Sequence, residues 1–142
     1  MISGYDTYDG SYRNFLSKQA KERDKIIFGS YDPNAYMGGI RKFKNLEVRD
    51  LRTLVNKGFA DPEDAQNNSP TLGELLNFAE EYGPNSYVFD GYVVSPNRSD
   101  CRVSVDSIKM VDNDFYSDEE EQAFEELTKY ADEKDFGYAW WD

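Results

Sequence analysis

The chain has 142 residues, 39% of them apolar and 15% aromatic, with eleven Tyr and nine Phe; that supports one domain with its own core and excludes a disordered acidic tail. Its formal charge is −12, which repels nucleic acid and anionic membrane and argues against direct binding to either. One cysteine, Cys101, and no histidine exclude an internal disulfide framework and every nucleophile arrangement that leans on an imidazole.

The charge is unevenly spread. Residues 1–59 hold eleven Lys/Arg against seven Asp/Glu, a balance of +4, whereas residues 60–142 hold five against twenty-one, a balance of −16. The chain therefore divides into a basic, tyrosine-rich N-terminal segment, 1–44, and an acidic remainder, 45–142, within one domain, 1–142. No apolar run is long enough for a signal peptide or a membrane span, so the expected compartment is the cytoplasm.

In chain order, Ser11 is positioned to cap a helix to about Phe28. Tyr12, Phe15, Leu16, Ala20, Arg23 and Ile27 recur there at helical spacing, with Lys18, Lys21 and Lys25 on the other face. Residues 29–39, with Pro33 and three glycines, read as a loop, and "IRKFK" as a short strand or a turn. Asn45 reads as the cap of a helix over 46–57 with Val48, Leu51, Leu54 and Val55 in a stripe and Gly58 as its stop. After a polar connector, Thr71 and Glu74 form a capping box for a helix over 72–82, whose Leu72, Leu75, Leu76, Ala79 and Tyr82 share a side.

Residues 86–95 and 101–111 read as the two strands of a hairpin joined through "PNRSD". Val103 and Val105 alternate with Ser104 and Asp106, which predicts one wet face. Two strands are marginal alone, and the terminal "YAWW" supplies a third. Ser117 and Glu120 open a last helix, with Ala123, Phe124, Leu127, Tyr130 and Ala131 in a stripe to about Lys134 and Gly137 beyond its end. The expected fold is α+β, about four helices packed on a small, mainly antiparallel sheet.

The last helix carries the acid. Asp118 to Glu121 have a local explanation, since carboxylates in a first turn gain ~0.3–1 kcal/mol each from the helix dipole. Past that turn, Glu125, Glu126, Asp132, Glu133 and Asp135 face only Lys129 and Lys134, and like-charge neighbours such as Glu121 and Glu125 cost ~0.2–0.5 kcal/mol per pair. One reading is a solvated face that serves solubility. The other is mimicry: carboxylates ~5–6 Å apart on successive turns imitate a phosphate ladder and fit the Lys/Arg groove of a nucleic-acid-binding protein. The partner-binding candidates are Asp112, Asp114, Asp118, Glu121, Glu125, Glu126, Asp132, Glu133 and Trp141.

Other chemistry is weakly marked. Asp112 and Asp114 stand at the first and third ligand positions of an EF-hand-like loop, but Ser117 replaces its glycine and Ala123 its bidentate glutamate, so no calcium site and no other metal or cofactor is expected. Cys101, flanked only by Arg98 and Arg102, reads as a structural thiol. Neither a Walker nor a dinucleotide glycine motif occurs, so a non-enzymatic role is expected. Tyr5, Tyr8, Tyr12, Tyr31 and Tyr36 pack turns or make an interface; Tyr5, Tyr8 and Tyr36 are the secondary interface candidates.

From "GFADPEDAQNNSPTLGELLNFAEE" through "GYVVSPNRSDCRVSVDSIKM" to "YAWWD", about residues 46–142, the chain resembles a family of small acidic proteins carried by phages and mobile elements of Gram-positive bacteria. The resemblance implies no catalytic residues. By analogy of class, it implies an inhibitor of host defence, such as the DNA mimics among anti-CRISPR proteins, whose partner is a basic nucleic-acid-binding protein such as a CRISPR nuclease or restriction enzyme. The alternative is an adaptor or structural protein of the element that assembles through its aromatic residues.

Overall fold

A computed structural model describes the backbone from Gly10 to Asp142 and the side chains from Lys18 onward. Tyr5 and Tyr8 lie outside the described residues. The elements run α1 (Gly10–Phe28), a short 3-10 turn (Pro33–Ala35), β1 (Ile40–Glu47), α2 (Val48–Asn56), α3 (Leu72–Tyr82), β2 (Tyr87–Val94), β3 (Val103–Met110), α4 (Asp118–Leu127), β4 (Glu133–Asp135) and β5 (Tyr138–Trp140). The five strands form one sheet in the order β1-β2-β3-β5-β4, and every neighbouring pair is antiparallel. The class is α+β, and the terminal "YAW" pairs with β3 as the expected third strand.

Where the local chemistry is unambiguous, the elements sit where the sequence puts them. The Glu74 N–H donates to Thr71 Oγ1 at 3.1 Å while the Thr71 N–H donates to Glu74 Oε1 at 2.9 Å, a complete capping box on α3. Gly58, at φ +79°, stops α2 with its N–H on Val55 O. Nine residues are too few for an isolated helix; α2 is held instead by Leu51 and Leu54, both fully buried, each contributing ~1.5–3 kcal/mol.

Three expectations are corrected. Asn45 caps no helix: β1 continues to Glu47, and Asn45 sits in a bulge at φ +58°, its N–H on Asp90 Oδ1 at 2.9 Å. The acidic helix ends at Leu127. Thr128 closes it, its hydroxyl turned back onto Phe124 O at 2.8 Å, and Glu133–Asp135 form an edge strand instead of two more helical turns. Gly137 is then the second residue of the tight β4–β5 turn, at φ +66°, where a Cβ would lie 2.5 Å from Met110 Cε.

The third correction concerns the wet face. Ser104 is fully buried, because the connector after α2 folds beside β3 and brings Asp64, whose Oδ2 accepts from Ser104 Oγ at 2.9 Å. The core is a single cluster between the helices and the opposite face of the sheet. Phe78 of α3 meets Tyr87 of β2 edge-on at 5.2 Å and Phe124 of α4 at 5.8 Å, so one aromatic group joins three elements. Among the described residues, no helix is long and apolar enough to cross a membrane.

Candidate acidic interface

Ser117 fixes the start of α4 by accepting from the Glu120 N–H at 3.1 Å. The first turn then presents four consecutive carboxylates, and their environments differ. Glu120 is 3% exposed; its Oε1 accepts from the Tyr116 N–H at 2.7 Å and its Oε2 from the Tyr87 hydroxyl at 2.5 Å. Burial, together with that hydrogen bond, pushes the Tyr87 phenol well above its ordinary range, so it remains a proton donor to Glu120. Glu120 is therefore a structural anchor, and Asp118, Glu119 and Glu121 are left exposed.

Asp118, Glu121, Glu125 and Glu126 line one shallow depression on the outer side of α4, together with Gln122 and Lys129. The structure thus brings together four of the residues that spacing nominated. Two carry countercharges: Lys134 reaches Glu125 at 2.6 Å and Lys129 reaches Glu126 at 2.5 Å. Both are solvent-exposed pairs, worth ~0–1 kcal/mol, and are readily exchanged for a partner's cations.

The remaining nominated residues lie elsewhere. Asp112 and Asp114 are exposed in the turn before α4, and Asp114 Oδ1 accepts from the Phe115 N–H. Asp132 has a local structural role, its Oδ2 accepting from the Asp142 N–H at 2.7 Å. Glu133 is exposed on edge strand β4 and, paired with Trp140, lies on the sheet face away from the helices and not in the α4 row. Trp141 is not a surface anchor: it is 1% exposed and belongs to the core. Tyr36 is half-buried and bound to Arg23 and Asp24. Burial pushes the Cys101 thiol up, with Arg23 only partly opposing, which leaves a poor nucleophile. Among the described residues, no three His, Cys, Asp or Glu side chains converge as a metal site.

Of the two terminal tryptophans, one expected in the core and one at an interface, the outer ring is Trp140 and not Trp141. Trp140 and Tyr138 are half-buried on the sheet face away from the core, near Asp90 and Asp106. Their i, i+2 spacing in the last strand is the signal that marks them as a pair on one face. Asp106 occupies the β2–β3 bulge; burial and the Asp90 charge raise its pKa, with Trp140 and Lys42 opposing. A carboxyl whose folded pKa exceeds its unfolded value binds more protons when folded, so its contribution to stability falls as pH rises from the ordinary 3.8 through the folded value. Asp106→Asn is accordingly expected to be more stable than the parent at neutral pH, with the difference vanishing toward about pH 3, as read from urea midpoints across that range.

No family model, no curated protein and no solved structure matches the chain. Its own geometry therefore carries the functional reading.

Proposed function

We propose that the chain is a non-enzymatic inhibitor that occupies the basic groove of a nucleic-acid-handling protein, with the carboxylates of α4 standing where phosphates would. The observation that carries the reading is the alignment of Asp118, Glu121, Glu125 and Glu126 along one exposed face of α4, with Lys129 as its cation. Helix-dipole stabilisation accounts for Asp118 and Glu121 but not for Glu125 and Glu126, which lie beyond the first turn. The resemblance to small acidic proteins of phages and mobile elements directs the target class to host-defence proteins, CRISPR effectors and restriction enzymes among them. The alternative, an adaptor role through aromatic residues, loses Trp141 and Tyr36 as anchors, because both are committed to internal contacts.

The test is a charge reversal with Glu121→Lys, Glu125→Lys and Glu126→Lys, all exposed positions on α4, where the expected change in stability is within ~0.5 kcal/mol per site. A tagged parent chain should retain a basic nuclease at low salt and release it at high salt or on addition of the nuclease's own DNA or RNA. The triple variant should retain none. Equal retention by parent and variant would make the acid a solvated surface and remove the mimicry reading.

A further inference from the structure

The sheet face turned away from the helices carries side chains that the core does not use. Asp90, Ser107, Trp140 and Glu133 form one row across β2, β3, β5 and β4, and Val88, Lys109, Tyr138 and Asp135 form the next. Directly paired residues on antiparallel strands share a face. Val88, Tyr138 and Trp140 are half-buried and, among the described residues, stand outside the core cluster and the side chains packed on it.

Two further features distinguish this face from ordinary surface. Ser107 is 1% exposed and its hydroxyl has no hydrogen-bond partner, although its register puts it between Asp90 and Trp140; an unmet hydroxyl of that kind costs ~1–3 kcal/mol. Carboxylates also accumulate without full compensation. Asp90 and Glu133 stand in the row of Trp140 and Asp135 pairs with Tyr138 in the next, and burial with the charges of Glu133, Asp90 and Asp106 raises the Tyr138 phenol above its ordinary pKa. The cations facing them are Lys109, 3.3 Å from Asp90, and Lys42 of β1, whose charge opposes the shift at Asp106.

We propose that this face docks an arginine-rich segment of the partner, with a guanidinium stacked on the Trp140 ring and its N–H groups donated to Asp90 and Asp106. The proposal deepens the acidic-interface reading and rests on it: Lys134 of β4 is bonded to Glu125 of α4, and Glu133 and Asp135 of the same strand continue the acid onto the sheet. Arginine fits better than lysine because its planar, weakly hydrated fork stacks on aromatic rings while presenting several donors. Phosphate ligands are disfavoured by the carboxylates, and a second copy would bring the same acid against itself. Burial and the Asp90 charge, which raise the pKa of Asp106, are offset when a cation arrives.

The test uses the full chain and two fluorescent probes, an oligoarginine and an oligolysine peptide of equal length, titrated at low salt. The parent should bind oligoarginine more tightly. Trp140→Ala should lower that preference by about fivefold, Trp140→Phe should retain most of it, and Glu125→Lys with Glu126→Lys should weaken both peptides alike. Tyr138→Ala is the second variant if Trp140→Ala proves unfolded by circular dichroism. Equal affinity of the parent for the two peptides, or a ratio unmoved in the aromatic variants, overturns the docking site; the helix-face reading then stands if the glutamate reversal weakens binding. A ratio lost with Trp140→Ala but no effect of the glutamate reversal supports the sheet site and removes the helix face.

Discussion

Gly91→Ala is expected to destabilise the protein by about 3 kcal/mol, at the upper end of what overpacking costs. Gly91 lies at the β2–β3 bulge and pairs across β1 with Phe43, where the β1 bulge begins. A Cβ at this position would lie 2.0 Å from the backbone oxygen of Ser104 and 2.7 Å from Cζ of Phe43. A ring can turn aside, but the Ser104 carbonyl belongs to the ladder, so β2 and β3 have to separate. The loss would consume a large share of the ~5–15 kcal/mol typical of a domain. A urea titration followed by tryptophan fluorescence measures it. Adding Phe43→Leu tests the cause: relief of the ring contact alone should restore less than half of the loss, whereas full restoration would locate the strain in the ring and not the strand.

The same region shows what could be read in the sequence and what could not. Thr71 with Glu74, Gly58 after its helix, and the two β-rich runs of the hairpin are signals whose physics is local, so they placed α3, the end of α2, and β2–β3 without tertiary knowledge. Asn45 is ambiguous by chemistry. A short amide side chain serves both as a helix cap and in the left-handed conformation of a bulge, and the Asp90 carboxylate that accepts its N–H is 45 residues away in sequence. Residues 128–135 failed for the complementary reason. Only half of their expected stripe packs inward, Ala131 on the core while Tyr130 stays exposed; β5 needs a partner on its outer edge, and pairing Glu133–Asp135 there prevails over a weak helical preference.

Trp140 and Trp141 illustrate the limit at the site itself. Adjacent residues in a strand point to opposite faces, so the dipeptide was bound to send one ring inward and one outward. Nothing in the two letters says which. The register with β3 decides it: Ala139 pairs with Ile108 of the core face, so Trp141 follows it inward and Trp140 stays with Ser107. Asp90 and Asp106 were equally invisible as a pair, because bulges shift the alternation that would have placed them.

Arg23→Ala is expected to cost about 3–5 kcal/mol, the range for removing one partner of a buried ion pair. Arg23 is 3% exposed and Asp24 0%, consecutive on α1 and bonded to each other from Nε to Oδ1 at 2.9 Å. The guanidinium also donates to Val94 O at 3.1 Å and to the Tyr36 hydroxyl at 2.7 Å, and Tyr36 in turn donates to Asp24. Burial works against the charge of Arg23, but Asp24 and Tyr36 outweigh it and hold its pKa above the ordinary value. Alanine would leave the Asp24 carboxylate and the Val94 carbonyl buried with too few donors. Because this group clamps α1 to the end of β2 and to the loop bearing Tyr36, the damage should be regional: amide exchange in 20–27 is expected to accelerate by roughly a hundredfold to a thousandfold, with smaller changes in β2 and β3. Replacing the whole group with Arg23→Met, Asp24→Leu and Tyr36→Phe removes the stranded charge as well as its partner, and should cost less than Arg23→Ala alone. If the triple variant is instead the less stable of the two, the ion pair itself, and not the avoidance of an unpaired charge, holds α1 in place.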